Sequence, residues 1–459
     1  MKHSSIALAI AAALITAPVF AATSKANAPP TTVSIDARIK ALEATVEQLR
    51  QQASAALAVA EAAKAELERM KTAQQDNATA SAAAPAEIVA ASEPIAAPAS
   101  AATSSASAFN PAIAVILNGV YAHHSLDPSR YYRAGFPLVD GTGAGEQGLS
   151  LGESEFSFAA NVDDKFYGQL TMTAENDHGD TSVGVEEAYI ESTALSDGFT
   201  VRAGRFYSHI GYLNDHHTHT DNFVDRPLAY QAFLGNQYGD DGVQVRWVAP
   251  TDTYFELGGE AFSGNHFPSA GARNSGVGVK TAFAHVGGDI GYSSFYGGVS
   301  VLKARTNGAE DGFSGDQTLY LSDVTWKWAP HGGFKDGGVT VHAEYFLDDR
   351  NGTVVTPTPP DTLQPWNGSR RGMYLEGAYR FSRTWDAGYR YDKLWSPDHG
   401  PYASDFDPSR NSVMLTWRNS EFSFLRLLFS RDEPSAGQTD NAIYLQYQAS
   451  IGAHGAHTF

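Results

Sequence analysis

The chain of 459 residues contains no cysteine. Disulfide cross-links and thiolate metal ligands are therefore excluded, and so is a cysteine nucleophile. Basic residues are also scarce, because 32 lysines and arginines stand against 51 aspartates and glutamates, for a formal net charge of −19. We therefore expect no nucleic-acid partner, since phosphate contacts need Lys and Arg. Beyond the N-terminus, no apolar run is long enough to span a bilayer as a helix.

The longest apolar run lies at the N-terminus. Lys2 and His3 precede an apolar run from Ile6 to Phe20, and Ala21 follows it. A short basic start, an apolar middle and a small residue at the end predict a secretory signal peptide over residues 1–21. A membrane anchor is the less favoured alternative, because the run is shorter than the ~20 apolar residues of a spanning helix. The chain is therefore expected to be exported.

Residues 22–75 are predicted to form a periplasmic α-helical coiled coil. Apolar residues recur there at alternating spacings of four and three, the 3.5-residue period of a left-handed coiled coil. A lone amphipathic helix is the alternative, but the apolar seam is narrow and flanked by charged residues. Residues 76–108 are rich in Ala, Ser and Pro and are predicted to be a linker. The seam residues are Ile35, Ile39, Leu42, Val46, Leu49, Ala53, Ala56, Ala60, Ala63, Leu67 and Met70.

From residue 109 to 459 the apolar period changes to two. Stretches of about ten residues alternate apolar and polar side chains, which predicts a transmembrane antiparallel β-barrel of about 16 strands, an all-β fold. A soluble sandwich shows similar alternation in shorter strands. Short turns alternate with longer connections, which places both termini in the periplasm. Long loops are expected near 124–148, 176–182, 207–241, 263–276, 306–316, 348–370, 395–410 and 432–440.

The last predicted strand ends at Phe459. An amphipathic final strand with a terminal aromatic residue is typical of barrels recognised by the barrel-assembly machinery. We therefore expect the Gram-negative outer membrane as location, with its lipid and that machinery as partners.

The longest loop, residues 207–241, is rich in histidine and aspartate. Imidazole and carboxylate groups suit zinc and other divalent metals in a chain without cysteine. A metal site is therefore a candidate at Asp215, His216, His217 and His219. The alternative is a polar constriction loop in which the histidines only occupy space and bind no metal. The candidate constriction residues are His209, Asp215, His216, His217, His219, Asp221, Asp225 and Arg226.

The polar face of the predicted strands carries more acidic than basic residues. An acidic lumen attracts cations through its electric field. The alternative is that many carboxylates pair with arginines and pack the lumen. The candidate pore-wall residues are Glu187, Glu191, Arg202, Arg246, Glu256, Glu260, Glu344, Glu376, Arg380 and Arg390.

Several segments resemble a known superfamily. EEAYIES (186–192) and FTVRAGRFYSHIGYLND (199–215) are similar to phosphate-selective porins and to trimeric porins with an N-terminal coiled coil. The stretches 224–247 and 109–119 resemble porin-like proteins labelled zinc-regulated or TonB-dependent outer-membrane receptors. This resemblance to the porin superfamily covers about residues 109–459. It implies a homotrimer whose third loop, here 207–241, folds inward and narrows the pore.

We therefore expect an outer-membrane porin-like channel for passive uptake of small hydrophilic solutes. It should prefer cations and should be linked to uptake of zinc or another divalent metal at the third loop. We expect no required cofactor, no catalytic residue and no enzymatic activity. Two alternatives stay open: a structural barrel that tethers periplasmic partners through its coiled coil, and a gated metal receptor.

Overall fold

The computed structural model describes residues 111–177, 180–269, 276–308, 311–330, 337–356 and 362–452. The predicted signal peptide, coiled coil and linker lie outside these residues, and so does Phe459. Within the described part of the chain, no helix is both long enough and apolar enough to cross a membrane.

The described strands form one closed antiparallel sheet. Each strand pairs with the next along the chain, and β1 pairs with β17 to close the barrel. Segments β2 and β3 pair with successive parts of β1 on either side of Gly152 and Glu153, so they act as one interrupted strand. Counting them once gives 16 strand positions, which confirms the predicted number. The strands are β1 (Ala112–His124), β2 (Gly148–Leu151), β3 (Ser154–Asn161), β4 (Phe166–Asp177), β5 (Asp180–Ser192), β6 (Phe199–Tyr207), β7 (Gly239–Val248), β8 (Tyr254–Phe262), β9 (Val279–Ile290), β10 (Ser293–Asn307), β11 (Phe313–Trp328), β12 (Gly338–Thr356), β13 (Thr362–Arg380), β14 (Trp385–Trp395), β15 (Ser409–Ser420), β16 (Ser423–Ser435) and β17 (Gln438–Gly452).

The two ends of the barrel differ in their connections. One end carries short turns, such as those between β9 and β10 and between β15 and β16. The other end carries the longest connections, 125–147, 208–238, 263–278 and 396–408. We call the end with the short turns the turn end and the end with the long connections the loop end.

Some expected loops are strand instead. The loop expected over 348–370 is largely occupied by β12 and β13, and strands also extend into the loops expected near 306–316 and 432–440. The reason is local composition. In Asp348–Thr353 both faces of the strand carry polar or small residues, so the apolar alternation stops while the backbone ladder to β13 continues.

The outer face of the barrel is a belt of exposed apolar side chains. Along the middle of β15 and β16 the outward residues are aliphatic or aromatic, and the alternate residues are buried inside. Such a surface is unfavourable in water and matches the lipid-facing band of a membrane barrel. The outward residues of these two strands include Val413, Leu415, Trp417, Leu425, Leu427 and Phe429.

One short helix, α1 (Leu228–Leu234), lies between β6 and β7 with all of its residues buried. Its sequence LAYQAFL contains good helix formers, Pro227 precedes it, and Gly235 ends it in the left-handed conformation at φ 62°. The backbone N–H of Leu228 donates to a carboxylate oxygen of Asp392 on β14 at 3.0 Å. The helix belongs to a hydrophobic cluster with Phe346, Tyr374 and Leu394 of β12, β13 and β14. The main apolar core therefore lies inside the barrel, against one side of its wall.

Candidate functional site

Residues 208–238, which we call loop 3, cross the interior of the barrel. Loop 3 leaves β6 at the loop end, and its side chains and backbone contact strands on every side of the lumen. These contacts are polar as well as apolar. The neighbouring connection 125–147 also contacts the loop, through the hydrogen bond of Asn236 to Gly141 and the ring contact of Phe136 with Phe233. The wall partners of loop 3 include Glu155 of β3, Glu187 of β5, Glu256 of β8, Glu344 of β12, Arg390 of β14 and Gln448 of β17.

The first side of the wall is formed by β12 to β15 and is rich in arginine. Asp225 of loop 3 accepts from the guanidinium of Arg390 at 2.9 Å and is also paired with Arg410. Arg390 in turn donates to Asp392 at 2.9 Å. Burial alone would raise the pKa of Asp225, but the two guanidinium groups hold it below its usual value. We call Arg350, Arg370, Arg390 and Arg410, all buried and all paired with aspartates, the arginine wall.

On the opposite side, loop 3 meets glutamates of β3 and β5. His219 Nδ1 lies 2.6 Å from a carboxylate oxygen of Glu155. His217 Nδ1 lies 3.4 Å from both Glu155 and Glu186, and its Nε2 lies 3.0 Å from Glu187. Burial alone would lower the pKa of His217, but these carboxylates raise it well above its usual value. We call Glu155, Glu186, Glu187, His217 and His219 the His217 cluster.

A β-bulge places two consecutive glutamates in this cluster. The pairing of β4 with β5 shifts so that Thr171 faces Glu187 whereas Met172 faces Val185. Glu186 is therefore the extra residue of the bulge. A bulge breaks strict inside–outside alternation. As a result both Glu186 and Glu187 contact His217, which a regular strand would not allow.

A second group of histidines lies where loop 3 begins. His209 Nδ1 is hydrogen-bonded to Asp215, and its Nε2 lies 3.0 Å from Glu256 of β8. His285 of β9 lies on the same carboxylate, with its Nδ1 3.5 Å from Glu256. Burial alone would lower the pKa of His209, but Asp215 and Glu256 raise it to about 10. We call His209, Glu256 and His285 the His285 cluster.

Loop 3 separates two cavities. The turn-side cavity, of about 680 Å³, reaches Asp289 and Ser294 near the turn end. The loop-side cavity, of about 520 Å³, is lined by residues of the loop end. His217 lines the first cavity, whereas its partner Glu186 lines the second. The His217 cluster therefore forms part of the partition between them.

Both cavities carry an excess of acidic side chains. The turn-side cavity is lined by four carboxylates and two arginines, together with His209, His216 and His217. The loop-side cavity is lined by six carboxylates and two arginines. Because the pKa values of His209 and His217 are raised, these two imidazoles offset part of the acidic charge on the turn side. The acidic excess is therefore larger on the loop side.

The structure divides the four predicted metal ligands between two places. His217 and His219 meet at Glu155. Asp215 instead pairs with His209 and with His216, whose Nδ1 lies 3.1 Å from it. Among the other predicted loop residues, Asp221 pairs with Arg226 at 3.0 Å, while Asp225 is held by the arginine wall.

The predicted pore-wall residues all face the interior but do not share one role. Four of them line the turn-side cavity: Glu187, Glu191, Arg202 and Arg246. Arg380 pairs with Asp386 at 2.7 Å and is partly exposed. The remaining five are buried and bind loop 3 or each other: Glu256, Glu260, Glu344, Glu376 and Arg390.

The candidate site list derived from sequence lacked three residues of these clusters, Glu155, Glu186 and His285, and their neighbour Asp323. Glu155 and His285 stand in regular strands, where one polar residue on the inner face gives no special signal. Asp323 on β11 faces His285 across the sheet and is equally inconspicuous. Glu186 was missed because strict alternation puts it outside, and the bulge has no sequence signal that we can identify.

A closed antiparallel barrel with an apolar outer belt and a loop folded across its lumen is a porin-type β-barrel. No known family profile matches the sequence. The chain belongs to the same family as an uncharacterized protein of Aquifex aeolicus (strain VF5). The two are 30% identical over 389 residues, which covers 77% of this chain and 80% of that protein.

Solved structures of similar architecture are outer-membrane proteins and channels. OmpT of Vibrio cholerae in its trimer form is 12% identical, covers 74% of this chain and 99% of its own, and gives a TM-score of 0.48. The outer-membrane channel DcaP of Acinetobacter baumannii is 14% identical. The match covers 74% of this chain and 97% of that channel, with a TM-score of 0.48. The anion-selective porin from Comamonas acidovorans is 10% identical. The match covers 74% of this chain and 99% of that porin, with a TM-score of 0.48. Since the relative is uncharacterized, function has to be inferred from the barrel's own geometry.

Proposed function

We propose that this protein is an outer-membrane channel for passive uptake of small hydrophilic solutes. The observation that carries the proposal is the position of loop 3, which divides the lumen into two cavities rather than filling it. Each cavity reaches one end of the barrel. The His217 cluster between them sets the narrowest part of the path.

The location follows from the outer surface. A continuous belt of exposed apolar side chains needs a lipid environment, and a closed barrel leaves no unpaired strand edge within it. We propose that the turn end faces the periplasm, where the coiled coil and the C-terminus would then lie. Recognition of Phe459 by the barrel-assembly machinery remains a prediction.

A preference for cations is the second part of the proposal. The loop-side cavity has more acidic than basic side chains, whereas on the turn side two arginines and the imidazoles of His209 and His217 match four carboxylates. Charge in a narrow, partly dehydrated path acts strongly on passing ions. The arginines that would attract anions are mostly engaged by aspartates in the arginine wall. The net field is therefore set by the carboxylates of the loop-side cavity.

Divalent metal is the solute that the His217 cluster would favour. Donor atoms of Glu155, His217 and His219 lie within 4.8 Å of one another. Two imidazoles and a carboxylate suit zinc and similar ions. We propose that a passing divalent ion pauses here, at the contact between the two cavities. Asp215 and His216, predicted as ligands from sequence, would act from the turn-side cavity.

Planar-bilayer recording tests the channel. We expect discrete conductance steps, a reversal potential that indicates cation preference, and zinc block that is lost in His217→Ala/His219→Ala. His399→Ala, which changes a histidine of the 396–408 connection, is the matched control and should keep the block. A silent barrel would overturn the channel and would favour a tethering role for the coiled coil.

Trimer formation is a separate proposal. Chemical cross-linking of the native protein in outer membranes should yield a species of three chains, and conductance should then occur in groups of three steps. A single-chain species alone would contradict it without affecting the channel itself.

A further inference from the structure

The His285 cluster is built as a ligand site, and neither the sequence motifs nor the proposed channel requires it. His209 Nε2 lies 3.0 Å and His285 Nδ1 lies 3.5 Å from the same carboxylate group of Glu256. These donor atoms lie within 4.8 Å of one another. They come from loop 3, β8 and β9, so three separate parts of the chain converge on one point.

His285 is buried without satisfied hydrogen bonds. Its residue exposure is 1%, and among the described residues neither ring nitrogen has a hydrogen-bond partner. Asp323 lies 3.7 Å from its Nε2, yet both oxygens of that carboxylate are also buried without hydrogen bonds. A polar group that is buried without a hydrogen bond lowers the free energy of unfolding by about 1–3 kcal/mol. Such groups are rare in folded proteins, so each of them needs an explanation. A metal ion bound on the Glu256 side would supply one for Nδ1 of His285.

The donor set fits a divalent transition metal. Two imidazole nitrogens and one carboxylate oxygen form a three-ligand zinc site of the His₂Glu type, which leaves a position open. The separations of 3.0 and 3.5 Å bracket the distance of about 3.3 Å expected between ligands of a tetrahedral ion with ~2.0–2.1 Å bonds. One of the three ligands, His209, lines the turn-side cavity, so this cavity offers a route to the site.

The surrounding carboxylates strengthen this interpretation. Metal-bound histidines commonly donate their second ring N–H to a carboxylate, which fixes the ring and the tautomer. His209 is bonded to Asp215 through Nδ1, which leaves Nε2 directed at Glu256. Asp323 lies 3.7 Å from Nε2 of His285, slightly beyond hydrogen-bond distance. Both histidines therefore have a carboxylate on the side away from Glu256.

We propose that His209, Glu256 and His285 bind one divalent transition-metal ion, entered from the turn-side cavity. The ion replaces the proton on His209 Nε2 and joins the first turn of loop 3 to β8 and β9. This site is separate from the His217 cluster, and it stands whether or not the barrel conducts.

Zinc binding to the full-length, metal-free protein in detergent tests the proposal. His217→Ala/His219→Ala serves as background, because it removes the other candidate site. We expect calorimetry to find one zinc ion per chain in this background, and zinc X-ray absorption to find two imidazole ligands. Adding His285→Gln should weaken that binding more than about 100-fold, and adding Asp323→Asn should weaken it about 10–100-fold.

The matched control is His342→Gln. His342 is also a buried lumen histidine, but its Nδ1 is hydrogen-bonded to Thr325 at 2.8 Å, and it forms no ion pair with a carboxylate of the described residues. Its replacement should leave zinc affinity and the imidazole count unchanged. If His285→Gln fails to fold, Glu256→Gln gives the same test. No zinc in the background variant, or equal affinity after His285→Gln or Glu256→Gln, overturns the site.

Discussion

The two sides of the lumen use charge in opposite ways. On the arginine wall, guanidinium groups are matched by aspartates, and Asp225 ties loop 3 to this network. On the histidine side, Glu155 and Glu256 each meet two imidazoles, and their donor atoms converge on one point. Buried atoms without a hydrogen-bond partner occur on both sides, so they do not distinguish them. Paired guanidinium and carboxylate groups hold a loop in place, whereas converging imidazole and carboxylate groups are suited to bind an ion.

The largest effect should come from breaking the matched side. Asp225→Ala leaves Arg390 and Arg410 buried with one aspartate each, and loss of a hydrogen bond to a charged group costs about 1.5–3 kcal/mol. We expect a lower free energy of unfolding in urea and a larger, noisier conductance, because loop 3 loses its anchor. Unchanged unfolding with unchanged conductance would show that the arginine wall does not hold the loop.

Alkaline pH should weaken the histidine side alone. Because the folded-state pKa of His209 is raised to about 10 from an unfolded value near 6.5, its stabilisation is complete below about pH 6.5 and is lost as pH rises through 10. We expect metal-free protein to lose thermal stability between pH 7 and 10.5. His209→Gln should show a smaller loss over this window, since tyrosines and lysines titrate equally in both proteins. Equal losses in the two proteins would remove His209 as the cause.

A smaller effect should follow from removing one cavity charge. Glu187→Gln changes a carboxylate that lines the turn-side cavity and contacts His217. We expect the cation-to-anion permeability ratio, taken from reversal potentials, to fall by about 1.4- to 5-fold, which corresponds to the ~0.2–1 kcal/mol of a solvent-screened charge interaction with the passing ion. Glu433→Gln, which changes an exposed residue paired with Arg431, is the control and should leave the ratio unchanged.

The smallest effect is expected for an ion pair that belongs to neither side. Arg305 and Asp316 are both more than half exposed and lie 3.4 Å apart. Arg305→Ala should change the free energy of unfolding by less than about 0.5 kcal/mol, because exposed pairs gain little against solvent. A loss as large as that of Asp225→Ala would erase the distinction between matched interior charge and surface charge.

The barrel could be predicted from sequence because its outer face repeats a simple rule. Alternation with period two marked the strands, and closure by 16 of them is confirmed. The rule failed where both faces are polar, as in β12 from Asp348 onward, and at the bulge of Glu186. In both places the backbone ladder continues while the side-chain pattern changes.

The site could be predicted only in part. Loop 3 was identified by its length and its histidines, but its partners Glu155, Glu256 and His285 belong to strands distant in sequence. Spacing within the loop grouped Asp215 with His216, His217 and His219, whereas the fold directs them to different walls. Long-range pairing of this kind depends on barrel geometry, which the order of residues in one loop does not encode.

Helix α1 has a consequence for how the barrel assembles. Its apolar partners Phe346, Tyr374 and Leu394 lie on strands that follow loop 3 by more than a hundred positions in the sequence. The seam between β1 and β17 closes around this packed core. Assembly of this protein therefore combines insertion of strands into lipid with an internal collapse of the kind that water-soluble domains undergo. Polar replacements in α1 should then slow assembly even though no residue of the helix touches the bilayer.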